Sequence, residues 1–145
     1  MSIFSIGVNH QTAPLAFREQ VAQAVQNLME TNRSFTEQHS LSEIVTISTC
    51  NRVEFYCVCP KGTDQEIVFD WLNQNGVRPE RKYFYWYNGQ AVVQHLFRVV
   101  SSLDSMILGE NQIVSQVRSA FQCAERSASV GPILRRIFEK SFVVA

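Results

Sequence analysis

Alternating hydrophobic and polar residues at the start of the chain predict a strand, and the spacing then changes to that of a helix. In Ser2–Asn9 apolar side chains occupy every second position, which is the period of a strand with one buried face. From Leu15 onwards helix-forming residues dominate, with apolar residues at helical spacing at Val21, Val25, Leu28 and Met29. The polar stretch 31–40 is expected to end this helix or to form a loop.

Two runs of strand-forming residues follow, at 43–49 and 53–59. They are separated by Cys50, Asn51 and Arg52, which have the size and polarity of a tight turn. The pattern therefore predicts a β-hairpin with a cysteine at its tip.

A further helix and a fourth strand complete the first part of the chain. Residues 63–66 (TDQE) have the sequence of a capping box, and Gly76 supplies a stop after an apolar stripe that consists of Ile67, Val68, Trp71 and Leu72. Every residue in 83–87 is aromatic, which predicts a strand. The order strand, helix, strand, strand, helix, strand is that of the ferredoxin-like βαββαβ fold. We therefore expect an α+β domain with an antiparallel sheet and helices on one face.

Three C-terminal helices are predicted after this sheet. The first covers 90–102, and its buried stripe consists of Val93, Leu96, Phe97 and Val100. His95 then projects from roughly the opposite side of that helix. The second helix covers 110–128, and the third begins after Gly131 and Pro132. The chain stops within a helical pattern, as expected of a fragment of a longer protein.

Composition narrows the class of protein. A chain of 145 residues with 46% hydrophobic content can bury one sizeable core, so a single domain is expected. Thirteen basic and thirteen acidic residues balance, so attraction of a partner by bulk charge is not indicated, and contact with nucleic acid would be local. The four cysteines lack the paired spacing of a metal framework, and no signal peptide is present. These features predict reduced thiols and a cytoplasmic protein.

The predicted hairpin tip carries the strongest candidate chemistry. A thiol on a turn can reach a ligand, and the guanidinium of Arg52 would favour the thiolate of Cys50 and offer a planar fork to a carboxylate. This combination suits a nucleophile that acts on an anionic substrate. The alternative is a half-buried cysteine beside a surface arginine, because buried thiols are commoner than reactive ones.

A second polar cluster lies at 101–112 and continues into the next helix. Gln112 and Gln116 are one helical turn apart, and Ser105 and Glu110 lie near the N-terminal end of that helix. Such a cluster can line a pocket. The alternative is a solvated helix face with an ordinary cap.

Three segments together resemble one known family. They are residues 7–14 (GVNHQTAP) followed by Arg18 and Glu19, residues 48–56 (STCNRVEFY), and residues 96–116, which contain LDSMILGE. The chain resembles glutamyl-tRNA reductase, the first committed enzyme of the five-carbon route to tetrapyrroles. The resemblance implies a catalytic domain, an NADPH-binding Rossmann domain and a helical dimerisation domain, of which residues 1–145 would be the N-terminal catalytic domain. The sequence contains no Gly-x-Gly-x-x-Gly after a strand, so NADPH is expected to bind outside this fragment.

The resemblance also implies roles for individual residues. Cys50 would attack the ester carbonyl of glutamyl-tRNA(Glu) to form a thioester, which hydride from NADPH would reduce to glutamate-1-semialdehyde. Arg52 would bind the glutamyl carboxylate, and Thr49 and Asn51 would hold the substrate by hydrogen bonds. His95 matches a histidine important for activity, whose role stays open between activating the thiol, protonating the leaving oxygen and orienting the ester. The further substrate-binding positions are Ser105, Glu110, Asn111, Gln112 and Gln116, with Glu110 suited to the α-ammonium group.

The same resemblance implies partners: glutamate-1-semialdehyde aminomutase, and a second copy of the full-length chain in a homodimer. Two other functions are compatible with parts of the sequence. Ferredoxin-like sheets can bind RNA through exposed aromatic residues, which 83–87 would provide, although no basic aromatic motif accompanies them. A metal site that uses His10, Cys50 and His95 would lack closely spaced ligand pairs.

Overall fold

A four-stranded antiparallel sheet organises the part of the chain that the structure describes. The computed structural model describes residues 1–60, 65–101 and 112–144, apart from the side chains at 112 and 144. The strands are β1 (Ser2–Asn9), β2 (Glu43–Ser48), β3 (Arg52–Cys59) and β4 (Tyr85–Asn88), in the spatial order β2-β3-β1-β4. All three pairings are antiparallel, and Asn9 lies opposite Arg52 where β1 and β3 meet. This order confirms the ferredoxin-like prediction.

Six helices are present within the same ranges, and they cover both faces of the sheet. They are α1 (Leu15–Ala24), α2 (Leu28–Gln38), α3 (Glu66–Gln74), α4 (Gln90–Val100), α5 (Gln112–Arg126) and α6 (Pro132–Val144). One core, on the face of Val53 and Phe55, contains residues of α1, α2 and α3. The other, on the face of Tyr56 and Val58, contains residues of α4, α5 and α6. β3 is consequently buried along its whole length.

The prediction that residues 31–40 end a helix or form a loop was wrong. The first helix ends at Ala24. A second helix, α2, begins after Asn27, which caps it by accepting a 3.1 Å hydrogen bond from the backbone N–H of Glu30, and this helix extends to Gln38. Polar residues of α2 face the sheet, where Thr46 donates a 2.8 Å hydrogen bond to the side-chain oxygen of buried Asn32. Hydropathy alone therefore assigned a buried helix face to a loop.

The fourth strand begins two residues later than predicted. Residues Arg81–Tyr83 form a 3₁₀ turn, and the strand starts at Tyr85. Tyr83 and Phe84 instead pack against Phe17 of α1, with ring centroids 5.1 and 5.8 Å apart. Helix α3 begins at Glu66, and the proposed capping box extends into residues 61–64, which lie outside the described residues.

The predicted orientation of α4 was wrong in a way that matters for function. Its buried residues are Val92, His95, Leu96, Val99 and Val100, whereas Val93 and Phe97 are half-buried. His95 is 2% exposed and therefore lies on the buried face. The hydropathy pattern assigned His95 to the polar face because an imidazole is buried only where a polar partner is available. That partner is Glu54 on β3, which the pattern of α4 does not reveal.

A buried carboxylate fixes the C-terminal helix to the sheet. Glu43 accepts hydrogen bonds from the backbone N–H groups of Gly131 (2.8 Å), Ile133 (3.2 Å) and Leu134 (2.8 Å) at the N-terminus of α6. A Cβ atom at Gly131 would lie 2.7 Å from the carboxylate carbon of Glu43, so glycine is needed for this approach. The arrangement satisfies N–H groups that a helix leaves without intrahelical partners.

Candidate active site

The turn between β2 and β3 presents Cys50 to solvent. Cys50 is exposed, whereas Cys57, Cys59 and Cys123 are buried. The hydroxyl oxygen of Thr49 accepts hydrogen bonds from the backbone N–H groups of Asn51 (3.1 Å) and Arg52 (3.2 Å). A side chain that satisfies two turn amides holds the turn in one conformation. The exposed thiol of Cys50 therefore lies on a turn that is held by side-chain hydrogen bonds.

Two contacts join this turn to the segment between β1 and α1. The backbone N–H of His10 donates to the carbonyl of Asn51 at 3.0 Å. The guanidinium of Arg18 donates through Nη1 to the carbonyl of Cys50 at 3.1 Å and through Nε to the carbonyl of Ala13 at 3.2 Å. Sequence reasoning did not assign a role to Arg18, and the resemblance of residues 7–14 with Arg18 and Glu19 was the one signal that pointed to it.

A cavity of about 230 Å³ opens beside the turn. Its lining combines the thiol-bearing turn with one face of α1: Leu15, Arg18, Glu19, Ala22, Thr49, Cys50, Arg52 and Val53. A side chain of the size of glutamate fits a cavity of this volume.

The side chain of Arg52 is buried, with 2% of its surface exposed. Its Nη1 lies 3.3 Å from Oε2 of Glu54, on the sheet face that α4, α5 and α6 cover. The guanidinium therefore shares a buried carboxylate rather than projecting from the surface of the turn. Its assignment as ligand of the substrate carboxylate stays a prediction.

Glu54 is the centre of a buried polar cluster that the hydropathy pattern did not predict. Besides Arg52, its carboxylate accepts a 2.8 Å hydrogen bond from Tyr56, a short one from Tyr85, and lies 2.5 Å from Nε2 of His95. Burial alone would raise the pKa of Glu54, but the hydrogen bond and charge of His95, the charge of Arg52 and the Tyr85 hydroxyl lower it to about 2. Burial, followed by the charge of Glu54, raises the pKa of both tyrosines well above the usual range.

The ring of His95 is enclosed by aromatic side chains of β4. It stacks on Tyr87, with centroids 4.5 Å apart and planes at 23°, and meets the edge of Tyr85 at 5.3 Å. Of the aromatic residues at 83–87, Trp86 alone is exposed, at 44%. The aromatic segment thus packs against α1 and α4, which disfavours its use as a platform for stacking RNA bases.

The remaining predicted site residues fall in two groups. Gln116 borders a groove of about 800 Å³ between the start of α2 and the exposed face of α5, together with Ser48, which directly precedes Thr49. Gln112 is the first residue of α5, and its side chain is not described. The other three positions, Ser105, Glu110 and Asn111, lie outside the described residues.

The described residues do not form a site for a metal ion or a dinucleotide. Across them, no group of three or more His, Cys, Asp or Glu residues could hold a metal ion, and His10, Cys50 and His95 do not form one. The strand pairs are antiparallel, and β1 leads into a loop at 10–14 that contains no glycine. These residues therefore do not fit a dinucleotide of the Rossmann type. In the same ranges, every helix is too short or too polar to cross a membrane.

Comparison with known proteins agrees with this architecture. The family described as "Glutamyl-tRNAGlu reductase, N-terminal domain" matches residues 6–145. The chain belongs to this family. It is 40% identical over 148 aligned residues to the glutamyl-tRNA reductase of Neisseria gonorrhoeae and 38% identical to that of Nitrosococcus oceani. It covers 35% of each of these relatives, so the chain spans about a third of their length.

A solved structure of the same family has the same fold. Glutamyl-tRNA reductase from Methanopyrus kandleri superimposes with a TM-score of 0.81 and 29% identity, over 97% of this chain and 32% of that one. The sheet and helices described above are therefore those of a glutamyl-tRNA reductase N-terminal domain.

In this glutamyl-tRNA reductase domain, we expect Cys50 to be the single cysteine that reacts rapidly with iodoacetamide near neutral pH. Cys50 is exposed, whereas burial raises the pKa of Cys57 well above its usual range, and Cys59 and Cys123 are buried as well. Mass spectrometry of tryptic peptides after a short pulse of reagent measures the labelling. Comparable labelling of any other cysteine in the folded protein would contradict the prediction.

Acid should destabilise the domain through Glu54. The pKa of Glu54 falls from 4.5 in the unfolded chain to about 2 in the folded domain. The ionised carboxylate therefore contributes its full share of the free energy of unfolding above pH 4.5, and this share is lost as the pH falls towards the pKa of the folded domain. Between about pH 5 and about pH 3, we expect the free energy of unfolding to fall by about 2 kcal/mol more in the parent than in Glu54→Gln.

Urea denaturation at several pH values measures this difference. Glu66→Gln is a suitable control, because Glu66 is also paired with an arginine, Arg81 at 2.6 Å, but at the surface. Equal acid sensitivity of the parent and Glu54→Gln would show that Glu54 is not ionised in the folded state.

Proposed function

We propose that this chain is the catalytic domain of an NADPH-dependent glutamyl-tRNA reductase that acts in tetrapyrrole biosynthesis. One observation carries the proposal: in a chain of this family, Cys50 is the one exposed thiol, and it stands on a turn held by Thr49, His10 and Arg18. A fixed, exposed thiol beside a cavity is what nucleophilic attack on a bound ester requires.

The chemistry assigned to Cys50 is acyl transfer. The thiolate attacks the carbonyl carbon of the ester that joins glutamate to tRNA. A C–S bond forms, the C–O bond to the ribose breaks, and the ribose oxygen takes a proton as tRNA leaves. The product on the protein is a glutamyl thioester at Cys50, which retains the energy of the original ester for the reductive step.

Recognition of the glutamyl group is assigned to the turn and to the groove next to it. Arg52 is the ligand proposed for the carboxylate, because a guanidinium can hold a carboxylate with two hydrogen bonds. Thr49 and Asn51 are proposed to contact the substrate, and Gln116 lies in the adjoining groove. The same role is proposed for Ser105, Glu110, Asn111 and Gln112, and His95 is proposed to act on the thiol, the leaving oxygen or the ester orientation.

The reductive half of the reaction belongs to the full-length protein. NADPH would supply hydride from a domain beyond residues 1–145, since the described residues do not fit a dinucleotide. Glutamate-1-semialdehyde aminomutase is the proposed recipient of the aldehyde, and the full-length protein is proposed to be a homodimer.

The test is the fate of labelled glutamyl-tRNA with residues 1–145 alone. We expect slow, Cys50-dependent release of glutamate and free tRNA, without glutamate-1-semialdehyde, because water is the acceptor that remains for the thioester. Intact mass after an acid quench should show a glutamyl adduct on Cys50.

The Cys50→Ser variant is the control for this experiment. Semialdehyde produced by residues 1–145 with added NADPH would reveal a dinucleotide site in this chain. Deacylation by Cys50→Ser at the parental rate would show that Cys50 is not the nucleophile.

A further inference from the structure

Glu54 has a position that neither substrate binding nor acyl transfer explains. It lies on β3 two residues after Arg52, is 1% exposed, and receives four side-chain partners in a part of the core that is otherwise apolar. Burying an ionised carboxylate is costly unless every lone pair is used. A sheet that needed stability alone would gain as much from an apolar residue at this point.

The backbone leaves room for this carboxylate. Gly7 of β1 lies directly opposite Glu54 in the β1–β3 register and opposite Tyr85 in the β1–β4 register. A Cβ atom at Gly7 would lie 2.6 Å from the carbonyl oxygen of Val53 and 2.9 Å from Cγ of Glu54. Three strands thus meet around the Glu54 side chain at a point where only glycine fits.

The contact between Glu54 and His95 determines which ring nitrogen of the histidine carries the proton. Oε2 of Glu54 lies 2.5 Å from Nε2, so a neutral imidazole keeps its proton on Nε2 and donates it to the carboxylate. Tyr87, stacked on the ring, restricts rotation. Any proton that His95 exchanges with substrate or thiol must therefore move through Nδ1.

The contact with Arg52 fixes a second side chain from the same carboxylate. Nη1 of Arg52 lies 3.3 Å from the same Oε2 that binds His95. A guanidinium held through one nitrogen presents its other N–H groups in a fixed plane. One buried carboxylate therefore sets the orientation of both His95 and Arg52, the two side chains of this cluster that the proposed reaction uses.

We propose that Glu54 is the positioning residue of this site: it holds His95 by Nε2 and Arg52 by Nη1, so that Nδ1 of the histidine is the nitrogen that serves the reaction. The inference rests on the proposed function for the identity of the reaction, but the tautomer of His95 follows from the contact itself. Tyr56 and Tyr85 complete the set of groups around the carboxylate.

The activity test compares two variants in the full-length protein. Glu54→Gln keeps the shape and removes the charge. Tyr56→Phe removes a partner from Oε1 of the same carboxylate, on the side away from His95 and Arg52. We expect Glu54→Gln to lower the kcat/KM for glutamyl-tRNA by about 10- to 100-fold, as for other groups that orient a catalytic side chain, and Tyr56→Phe to change it by less than about 3-fold.

A spectroscopic readout tests the geometry without reference to activity. Nitrogen-15 NMR of histidine-labelled protein at alkaline pH, with the signals of His95 assigned by their loss in His95→Gln, reports which ring nitrogen carries the proton. We expect a single tautomer protonated at Nε2 in the parent and in Tyr56→Phe, and a mixture of tautomers in Glu54→Gln.

The outcomes separate the inference from the proposed function. A parent that is protonated at Nδ1, or Glu54→Gln with the parental tautomer and kcat/KM, would overturn the inference. Losses of activity that are equal in Glu54→Gln and Tyr56→Phe would also overturn it, because they would reflect the stability of the cluster alone. A parent with the expected tautomer but no reduction of glutamyl-tRNA would refute the proposed function and leave the assignment of Glu54 to His95 standing.

Discussion

Replacing Cys50 by serine in the full-length protein is expected to lower the rate of the proposed glutamyl-tRNA reduction by about 10³-fold or more, with the fold unchanged. A serine hydroxyl is a far weaker nucleophile at neutral pH than a cysteine thiol. Cys50 is exposed, and the hydrogen bonds described for the turn are made by Thr49, His10 and Arg18 to backbone groups. The free energy of unfolding should therefore change by less than about 0.5 kcal/mol.

Single-turnover reduction of labelled glutamyl-tRNA measures the rate, and urea denaturation measures the free energy of unfolding. Cys123→Ser is the matched control, because Cys123 borders the groove that contains Gln116. We expect Cys123→Ser to keep the parental rate. A loss of rate in Cys123→Ser together with normal turnover by Cys50→Ser would show that the nucleophile is Cys123, in the groove, and not Cys50.

Replacing His95 by alanine is expected to destabilise the domain by about 3–5 kcal/mol, in addition to its effect on turnover. The substitution removes one of the four side-chain partners of the buried, ionised Glu54, and it removes the ring that stacks on Tyr87. This result differs from the expectation that the sequence pattern supports, in which His95 lies off the buried stripe and the fold survives its loss.

Urea denaturation at pH 7 measures the loss, with Gln94→Ala as control at the adjacent, exposed position of α4. Gln94→Ala should change the free energy of unfolding by less than about 0.5 kcal/mol. In the double variant with Glu54→Gln, the two losses should be less than additive, because both substitutions remove the same Glu54–His95 contact. A His95→Ala domain as stable as the parent would mean that the histidine does not belong to the buried cluster.

The two predictions depend on the sequence to different degrees. The exposed Cys50 could be predicted, because the two flanking strands have a clear pattern and a three-residue turn leaves its central residues at the surface. The burial of His95 could not, because hydropathy assigns a histidine to the polar face and its partner is 41 residues away in the chain. The same limitation explains the error at 31–40, where Asn32 is buried through its hydrogen bond to Thr46 on β2.

The sequence by itself determined the α+β class, the order of the strands, the family and the thiol on the hairpin, since these depend on residue periodicity, turn residues and local motifs. Tertiary structure alone decided that Glu43 caps α6, that Arg18 holds the carbonyl of Cys50, and that Glu54 joins Arg52 to His95. Glu43 and Glu54, which are both buried, share one physical reason. A buried charge is tolerated only where distant segments supply its partners, and the position of distant segments is fixed by packing rather than by neighbouring residues in the chain.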